Sequence, residues 1–247
     1  MFADPPERYA PPPPPALEAP RWTVGDLVVG FVAILAVVGA VVGLLIVVRP
    51  RGFAAGVIAT IAFEVAMGLI VLALAWRRGI SLRGLGFVAP PSWWPVVGLW
   101  FASYSVLFAY MLGLAVLDGA GMDVARFEGG NPIPLPLPRD GASSLAVAGL
   151  AVAVVLVAPV AEELYFRAFL FRAARRWMRL TLAALLSGAL FAVFHGNLAV
   201  VVPFTFVGAL FAWGFESSGS LWTSIAAHFL VNGLGFVATL SRLTERG

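Results

Sequence analysis

Several ionisable side chains of this sequence lie inside long apolar segments, where each of them is costly. Glu162 and Glu163 end an apolar stretch that begins near Leu145. The chain has two histidines, His195 and His228, and both lie in apolar surroundings. Ionisable groups at membrane depth usually face the interior of a helical bundle or a water-filled cavity, and they mark functional sites. These residues are therefore the first candidates for chemistry.

The two glutamates have different expected neighbours. Glu163 and Arg167 are four residues apart with the acid on the N-terminal side, which is the favourable order for an ion pair within one helix. Glu162 points about 100° away around the helix and lacks this partner, so it is the candidate general base or acid. Pro159, one turn earlier, can kink the helix and loosen backbone groups near the site. A purely structural role for the Glu163–Arg167 pair remains open.

The spacing of His228 and Asn232 predicts that one helix face presents an imidazole and a carboxamide together. Both groups can donate hydrogen bonds, as the stabilisation of an oxyanion requires. Glu162 and His195 together could hold and deprotonate a water molecule. The residues indicate hydrolysis of an acyl bond by activated water, with no evident covalent nucleophile. Ser224, one turn before His228, is interpreted as a helix-packing residue.

The depths of these groups within their helices are similar. Glu162 lies about 15 Å along its helix from Arg172, and His195 lies about 24 Å from the Arg179 end. His228 lies about 10 Å beyond the start of its own helix. In a bilayer with a hydrocarbon core about 30 Å thick, all three can meet near the middle. The sequence therefore predicts one buried polar site built by three helices.

The composition excludes a water-soluble domain. Hydrophobic residues make up 61% of the chain and charged residues 12%, with a mean hydropathy of +0.95. The isoelectric point near 9.9 does not predict nucleic-acid binding, because the basic residues punctuate the apolar runs as they do in membrane proteins. The absence of cysteine excludes disulfides, thiolate metal sites and cysteine nucleophiles.

Seven apolar segments are candidates for membrane-spanning helices. A helix requires roughly 20 apolar residues to span the bilayer. The seven segments cover about residues 24–48, 53–76, 94–117, 145–171, 180–194, 198–215 and 221–240. A further segment at 82–88 is interpreted as interfacial. We therefore predict an all-α, polytopic transmembrane helical bundle of about seven spans, in a multi-pass protein of the bacterial cell membrane.

Composition also divides the chain into four parts. Residues 1–20 are proline-rich and predict a disordered tail, without the features of a secretory signal peptide. Residues 21–117 contain the N-terminal transmembrane helices, and residues 118–142 form a proline-rich loop. Residues 143–241 contain the candidate site. The arginines at 77, 78, 83 and 172–179 are expected on one side of the membrane, together with the N-terminus, which is predicted to be cytoplasmic.

Two further acids lie in the N-terminal helices. Asp26, at the start of the first helix, is interpreted as interfacial. Glu64 lies in the second helix, and the sequence leaves open whether it is an accessory site residue or a protonated packing residue.

Three motifs in the last hundred residues resemble those of a known family. They are Glu-Glu-x-x-x-Arg at 162–167, Phe-x-x-x-His at 191–195 and His-x-x-x-Asn at 228–232, in this order on successive helices. Together with the stretch at 219–228, they resemble the CPBP intramembrane protease family. This family includes the type II CAAX prenyl endopeptidases and the bacteriocin-immunity or Abi-type proteins. The resemblance covers about residues 140–240.

The resemblance implies catalytic roles for residues of the first two motifs. It makes Glu162 the base that activates water, and it makes His195 a residue that helps to position that water. Glu163 and Arg167 would shape the site. Ala168 departs from the family pattern, in which glycine often follows the arginine, but this change removes no chemical group.

The third motif completes the implied site, since the resemblance makes His228 and Asn232 the residues that stabilise the oxyanion.

Whether the site holds a metal is an open question, because the family has been labelled a metalloprotease family. Two histidines and a glutamate could in principle bind zinc. The chain has no His-Glu-x-x-His pair, however, and the ligands would come from three helices. The resemblance favours a metal-independent, glutamate-dependent protease, so no cofactor is expected and zinc is the alternative.

The predicted function is intramembrane endopeptidase activity, in which water activated by glutamate hydrolyses a peptide bond of a membrane-associated or lipidated substrate. The expected partners are the lipid bilayer and a membrane-associated protein or peptide. One alternative is a non-enzymatic immunity or scaffold protein with the same fold. The other is a proton-coupled transporter, in which Glu64, Glu162 and the histidines would form a relay.

Overall fold

The computed structural model describes residues 22–48, 53–128 and 144–244, and these residues form helices joined by short turns. The helices are α1 (Val24–Val48), α2 (Phe53–Arg77), α3 (Leu82–Leu85), α4 (Trp94–Gly119), α5 (Ala125–Glu128), α6 (Ser144–Arg175), α7 (Leu180–Phe194), α8 (Leu198–Ser218) and α9 (Leu221–Thr244). The predicted tail at 1–20 lies outside the described residues, as do residues 129–142 of the predicted loop.

All seven predicted apolar segments are helices, and six helices within the described ranges are long and apolar enough to cross a membrane. The exception is α7, which has 15 residues. Its length of about 22 Å is less than the roughly 30 Å of the hydrocarbon core. The all-α, polytopic membrane fold is therefore confirmed, with six full-length spans close to the predicted seven. The segment predicted as interfacial contains the short helix α3.

Helix α6 changes its winding along its length. It is π-helical over Val152–Val157, α-helical over Ala158–Glu162 and π-helical again over Glu163–Phe171. π-Helical turns inside α-helices are rare and often occur at functional sites. The candidate base Glu162 therefore lies at the junction between two helical windings.

Pro159 leaves one backbone carbonyl of α6, that of Val154, without a donor from its own helix. The N–H of Ala158 donates to the carbonyl of Ala153, five residues earlier. In the same register the next donor would be residue 159, with the carbonyl of Val154 as its acceptor. Proline has no N–H, so the helix supplies no such donor for the Val154 oxygen.

The start of α1 packs against the second π-helical segment of α6. The indole of Trp22 is fully buried, and its Nε1 donates a hydrogen bond of 2.8 Å to the carbonyl of Ala168. Its ring meets Phe169 edge-on at 5.0 Å between centroids. Gly30 of α1 also packs against Phe169, and a Cβ at this position would lie 2.6 Å from the Phe169 ring. This contact explains how α1 is held although most of its surface is exposed.

Helices α7 and α8 form a tightly packed hairpin with glycine at the closest approach. A Cβ at Gly188 would collide with the carbonyl oxygen of Thr205 and would lie 2.8 Å from the nitrogen of Ala209. A Cβ at Gly208 would lie 2.7 Å from the Cα of Gly188. Small residues allow such close approach between membrane helices, where dispersion contacts replace the hydrophobic effect.

Arginines from two helices meet the other elements at one end of the bundle. Arg78 pairs with Asp26 at 3.0 Å, and Arg172 donates to the carbonyl of Gly84 at 2.9 Å. These contacts join the ends of α1, α2, α3 and α6. Arg78 and Arg172 thus lie at the same end of the bundle, as a common side for these arginines requires.

Candidate active site

Six helices surround a cavity of about 270 Å³ in the middle of the bundle. Most of its wall is apolar, with phenylalanines from α2, α6, α7 and α8. The polar groups on the wall include Glu64, Tyr104, Glu162, His195 and Asn232. A mostly apolar pocket with a few convergent polar groups is the usual form of a binding or active site.

Glu162 lies on this wall at the end of the α-helical turn that precedes Glu163. Its side chain is 13% exposed, and Oε2 lies 3.5 Å from Nε2 of His228. This separation is longer than a good hydrogen bond. The carboxyl thus faces the cavity with an imidazole nearby, as a base that acts on a water in the cavity would require.

Glu163 and Arg167 form the ion pair that their spacing predicts. Glu163 Oε1 lies 3.0 Å from Arg167 Nη1, and both side chains are fully buried. Nη2 of Arg167 donates to the carbonyl of Gly208 at 3.1 Å, and the guanidinium carbon lies 4.6 Å from the ring centroid of Phe191. A buried pair of this kind requires such additional partners to offset its desolvation. The pair lies behind the cavity wall and joins α6 to the α7–α8 hairpin.

His228 contacts both glutamates. Its Nδ1 lies 3.0 Å from Glu163 Oε1, and its ring packs against Phe191 and Phe211 at centroid distances of 5.7 and 5.1 Å. The spacing within α9 predicted a partnership of His228 with Asn232 and did not predict these contacts. Because they run between helices, they join α9 to α6 behind the cavity.

His195 lies directly after α7, at the turn into α8. Its Nδ1 lies 2.8 Å from the carbonyl oxygen of Phe191, which accepts a hydrogen bond when Nδ1 bears the proton. In that tautomer Nε2 is an acceptor. The ring packs edge-on against Phe191 at 4.7 Å and Phe204 at 4.8 Å. Gly196 follows with φ +63, which glycine adopts readily and which turns the chain into α8.

Asn232 lies on the cavity wall and is also tied to α6. Its Nδ2 donates a hydrogen bond of 2.9 Å to the carbonyl oxygen of Val154, the oxygen that Pro159 leaves without a helical donor. A carboxamide has two N–H donors, so this bond engages one of them. The second is the one that an oxyanion in the cavity would use.

The remaining polar residues near the site divide into two kinds. Ser224 is buried, and its hydroxyl donates to the carbonyl of Leu221 at 3.1 Å, in agreement with a packing role. Tyr104 lies on the cavity wall, and its hydroxyl donates to the carbonyl of Val231 at 3.0 Å. Sequence analysis missed Tyr104, because no motif accompanies it. Glu64 also lies on the wall; its position inside an apolar helix was the available signal.

The described ranges contain no set of side chains that could bind zinc. Nowhere in them do three histidine, cysteine, aspartate or glutamate side chains come together in a way that could hold a metal ion. A catalytic zinc site generally has three protein ligands and an open fourth position. The described residues do not fit this pattern, and we derive no chemical step through a metal.

Comparison with known proteins places this geometry in context. Residues 144–234 match the family described as type II CAAX prenyl endopeptidase Rce1-like, and the match includes all three motifs. A relative from Bacillus subtilis (strain 168), named "Putative membrane peptidase YdiL", is 30% identical over 77 residues, which are 31% of this chain and 32% of the relative. The matched part thus spans about a third of that relative. No solved structure matches the chain. Both descriptions are of peptidases, and they support the family that the motifs predict.

Proposed function

We propose that the protein is an intramembrane endopeptidase, because residues 144–234 match the Rce1-like type II CAAX prenyl endopeptidase family. It would hydrolyse a peptide bond of a membrane-associated or lipidated substrate with water activated by Glu162. The observation that supports this function best is the shared cavity wall of Glu162, His195 and Asn232 within the membrane-spanning bundle.

The chemistry begins with a water molecule between Glu162 and His195. The Glu162 carboxylate takes a proton from this water, while Nε2 of His195 accepts a hydrogen bond from it and fixes its orientation. The water oxygen then attacks the carbonyl carbon of the scissile peptide bond. The second N–H of Asn232 donates to the oxyanion that develops in this step.

Three residues behind the wall position these groups. His228 lies 3.0 Å from Glu163 and 3.5 Å from Glu162, which supports a role in orienting the two carboxylates. This role differs from the oxyanion contact that the sequence predicts for His228. The ion pair with Arg167 fixes the position of Glu163, which His228 contacts. Their effect on catalysis is therefore expected through the placement of Glu162.

The size of the cavity bears on the substrate. Its volume of about 270 Å³ lies at the lower end for ligand pockets, which start at about 300 Å³. It suits the reacting peptide group and an adjacent side chain. A lipid anchor on the substrate would then lie in the bilayer outside the cavity, and the anchor would deliver the peptide to the depth of Glu162.

The test uses the purified protein in proteoliposomes and internally quenched peptides, one with a farnesylated cysteine near its C-terminus and one without a lipid. We expect cleavage of the lipidated peptide and a loss of at least about 10²-fold in rate for Glu162→Gln, the size expected for loss of a general base. Glu216→Gln is the matched control, since Glu216 pairs with Arg175 at 2.7 Å on the partly exposed surface. Wild-type protein that cleaves neither peptide, or Glu162→Gln with an unchanged rate, would show that the proposal is wrong.

The Glu162→Gln variant and the same proteoliposomes also test the two other functions. A non-enzymatic immunity or scaffold protein would keep its cellular phenotype with Glu162→Gln, because this change nearly preserves shape. A proton-coupled transporter would show solute flux that depends on a proton gradient in the same proteoliposomes. Either result, obtained without peptide cleavage, replaces the endopeptidase proposal.

A further inference from the structure

We propose that Glu64 is a second catalytic carboxyl, the acid that protonates the leaving amine. This inference rests on the proposed peptide hydrolysis. Glu64 lies 11 residues after the start of α2 and 13 before its end, so it is about 16–20 Å from either end of that helix. It lines the same cavity as Glu162 from a different helix. The two carboxyls therefore face one reaction volume at mid-membrane depth.

The surroundings of Glu64 differ from those of three helical carboxylates that have arginine partners. They also differ from those of Glu162, whose Oε2 likewise lacks a hydrogen-bond partner but lies 3.5 Å from Nε2 of His228. Asp26, Glu163 and Glu216 each lie within 3.0 Å of an arginine. Glu64 is 6% exposed and has no ion pair among the described residues, and its Oε2 has no hydrogen-bond partner there. An isolated carboxylate in an apolar medium is very costly, so the neutral acid is the stable form of such a group. A neutral carboxyl has a proton to give.

A packing role would require a different arrangement. Polar residues that join membrane helices do so by hydrogen bonds across the interface. The Oε2 atom of Glu64 makes no such bond within the part of the chain that the structure describes. Glu64 lies on the cavity wall instead, where its carboxyl can meet a ligand in the cavity.

The other ionisable groups on the wall are less suited to donate a proton. These groups are Glu162, His195 and Tyr104. The hydroxyl of Tyr104 donates to the carbonyl of Val231, and Nδ1 of His195 lies 2.8 Å from the carbonyl oxygen of Phe191. Glu162 is the proposed base and must begin the reaction without its proton. Glu64 is thus the wall residue with an uncommitted acidic proton.

Both carboxyls take part in the proton transfers of the hydrolysis. The water oxygen forms a bond to the carbonyl carbon, and the proton that it loses goes to Glu162. The bond between carbon and nitrogen then breaks, its electron pair stays on nitrogen, and the Glu64 proton moves to that nitrogen. The products are a carboxylic acid and an amine. Transfer of the proton from Glu162 to Glu64 through water restores the initial state.

The first experiment compares two bonds in one sequence. It uses the farnesylated quenched peptide and a second form in which an ester replaces the scissile amide, because an alkoxide leaves more easily than an amide anion. For Glu64→Gln we expect a loss of about 10²-fold in kcat on the peptide with little change in KM, and a loss of only a few-fold on the ester. Glu162→Gln should fail on both substrates, and Glu216→Gln should cleave both at the wild-type rate.

The outcomes separate this inference from the proposed function. If Glu64→Gln cleaves the peptide at the wild-type rate, or loses equal activity on both substrates, then Glu64 is not the acid, although the endopeptidase function stands. If the wild type cleaves neither substrate, both are wrong. Because Oε2 of Glu64 has no hydrogen bond to lose, Glu64→Gln should unfold at nearly the wild-type temperature, so lost activity is not lost folding.

A second measurement needs no substrate. Dicyclohexylcarbodiimide reacts with protonated carboxyls in apolar surroundings, where the carboxyl O–H adds across the carbodiimide and the product rearranges to an N-acylurea. We expect mass spectrometry of the treated wild type to locate an adduct on Glu64, and we expect this adduct to be absent from Glu64→Gln and retained in Glu216→Gln. A wild-type protein without an adduct on Glu64 would overturn its role as proton donor.

Discussion

Asn232 donates a hydrogen bond from Nδ2 to the carbonyl oxygen of Val154 at 2.9 Å. This oxygen is available because Pro159, five residues later, has no N–H to occupy it in the π-helical register of α6. The proline thus provides the acceptor that holds a proposed oxyanion donor at the cavity wall, and it links α9 to α6 beside Glu162.

Replacement of Pro159 by alanine restores a backbone N–H that competes with Asn232 for the Val154 oxygen. We expect kcat to fall by roughly 10-fold, less than the 10²–10³-fold cost of losing an oxyanion donor entirely. Initial rates on the quenched peptide measure this effect. Pro203→Ala is the control, since Pro203 lies inside α8. An unchanged kcat for Pro159→Ala would show that the proline does not position Asn232.

The buried Glu163–Arg167 pair predicts strong coupling between its two residues. Glu163→Gln or Arg167→Met alone should lower the free energy of unfolding by about 3–5 kcal/mol, because each leaves a buried charge without its partner. The double variant should lose much less than the sum of the two. Denaturant unfolding in detergent micelles measures all three.

The matched control for this cycle is the pair of Arg175 and Glu216, whose side chains are 32% and 34% exposed. Coupling in an exposed pair is about 0–1 kcal/mol. If the effects of the Glu163 and Arg167 substitutions were simply additive, the two side chains would not form the buried pair.

The close approach of α7 to α8 predicts different effects for alanine at two glycines. Gly188→Ala should destabilise the protein by about 1–3 kcal/mol, because its Cβ would overpack the backbone of α8. Gly113→Ala in α4 should be neutral or slightly stabilising, because no atom lies within 4 Å of its Cβ position and alanine favours a helix. Thermal unfolding compares the two variants. Equal melting temperatures would contradict the packing of the hairpin.

Metal removal gives a direct prediction for the mechanism. After dialysis against a strong chelator, the protein should retain its peptidase activity, since no described set of side chains fits a metal ion. A known zinc protease treated in parallel should lose its activity. Elemental analysis of the dialysed sample confirms that the metal is gone. Activity that disappears and returns when zinc is added would require a metal mechanism.

The sequence by itself determined the helices and the contacts within each helix. Apolar runs indicated all seven main helices, and six of them reach the length that a bilayer span requires. The spacing of Glu163 and Arg167 predicted their ion pair, because residues four apart share a helix face whatever surrounds the helix. The order of the motifs was sufficient to predict the family.

Only the tertiary structure decided how the helices face one another. It placed His228 beside both glutamates and put Glu64 on the same cavity wall as Glu162. Most of these helices are apolar on all sides, so their sequence period does not distinguish a face toward lipid from a face toward protein. Lipid is as apolar as leucine, and close packing and polar contacts then fix the rotation of each helix. Those contacts join residues far apart in the chain, which local spacing cannot reveal.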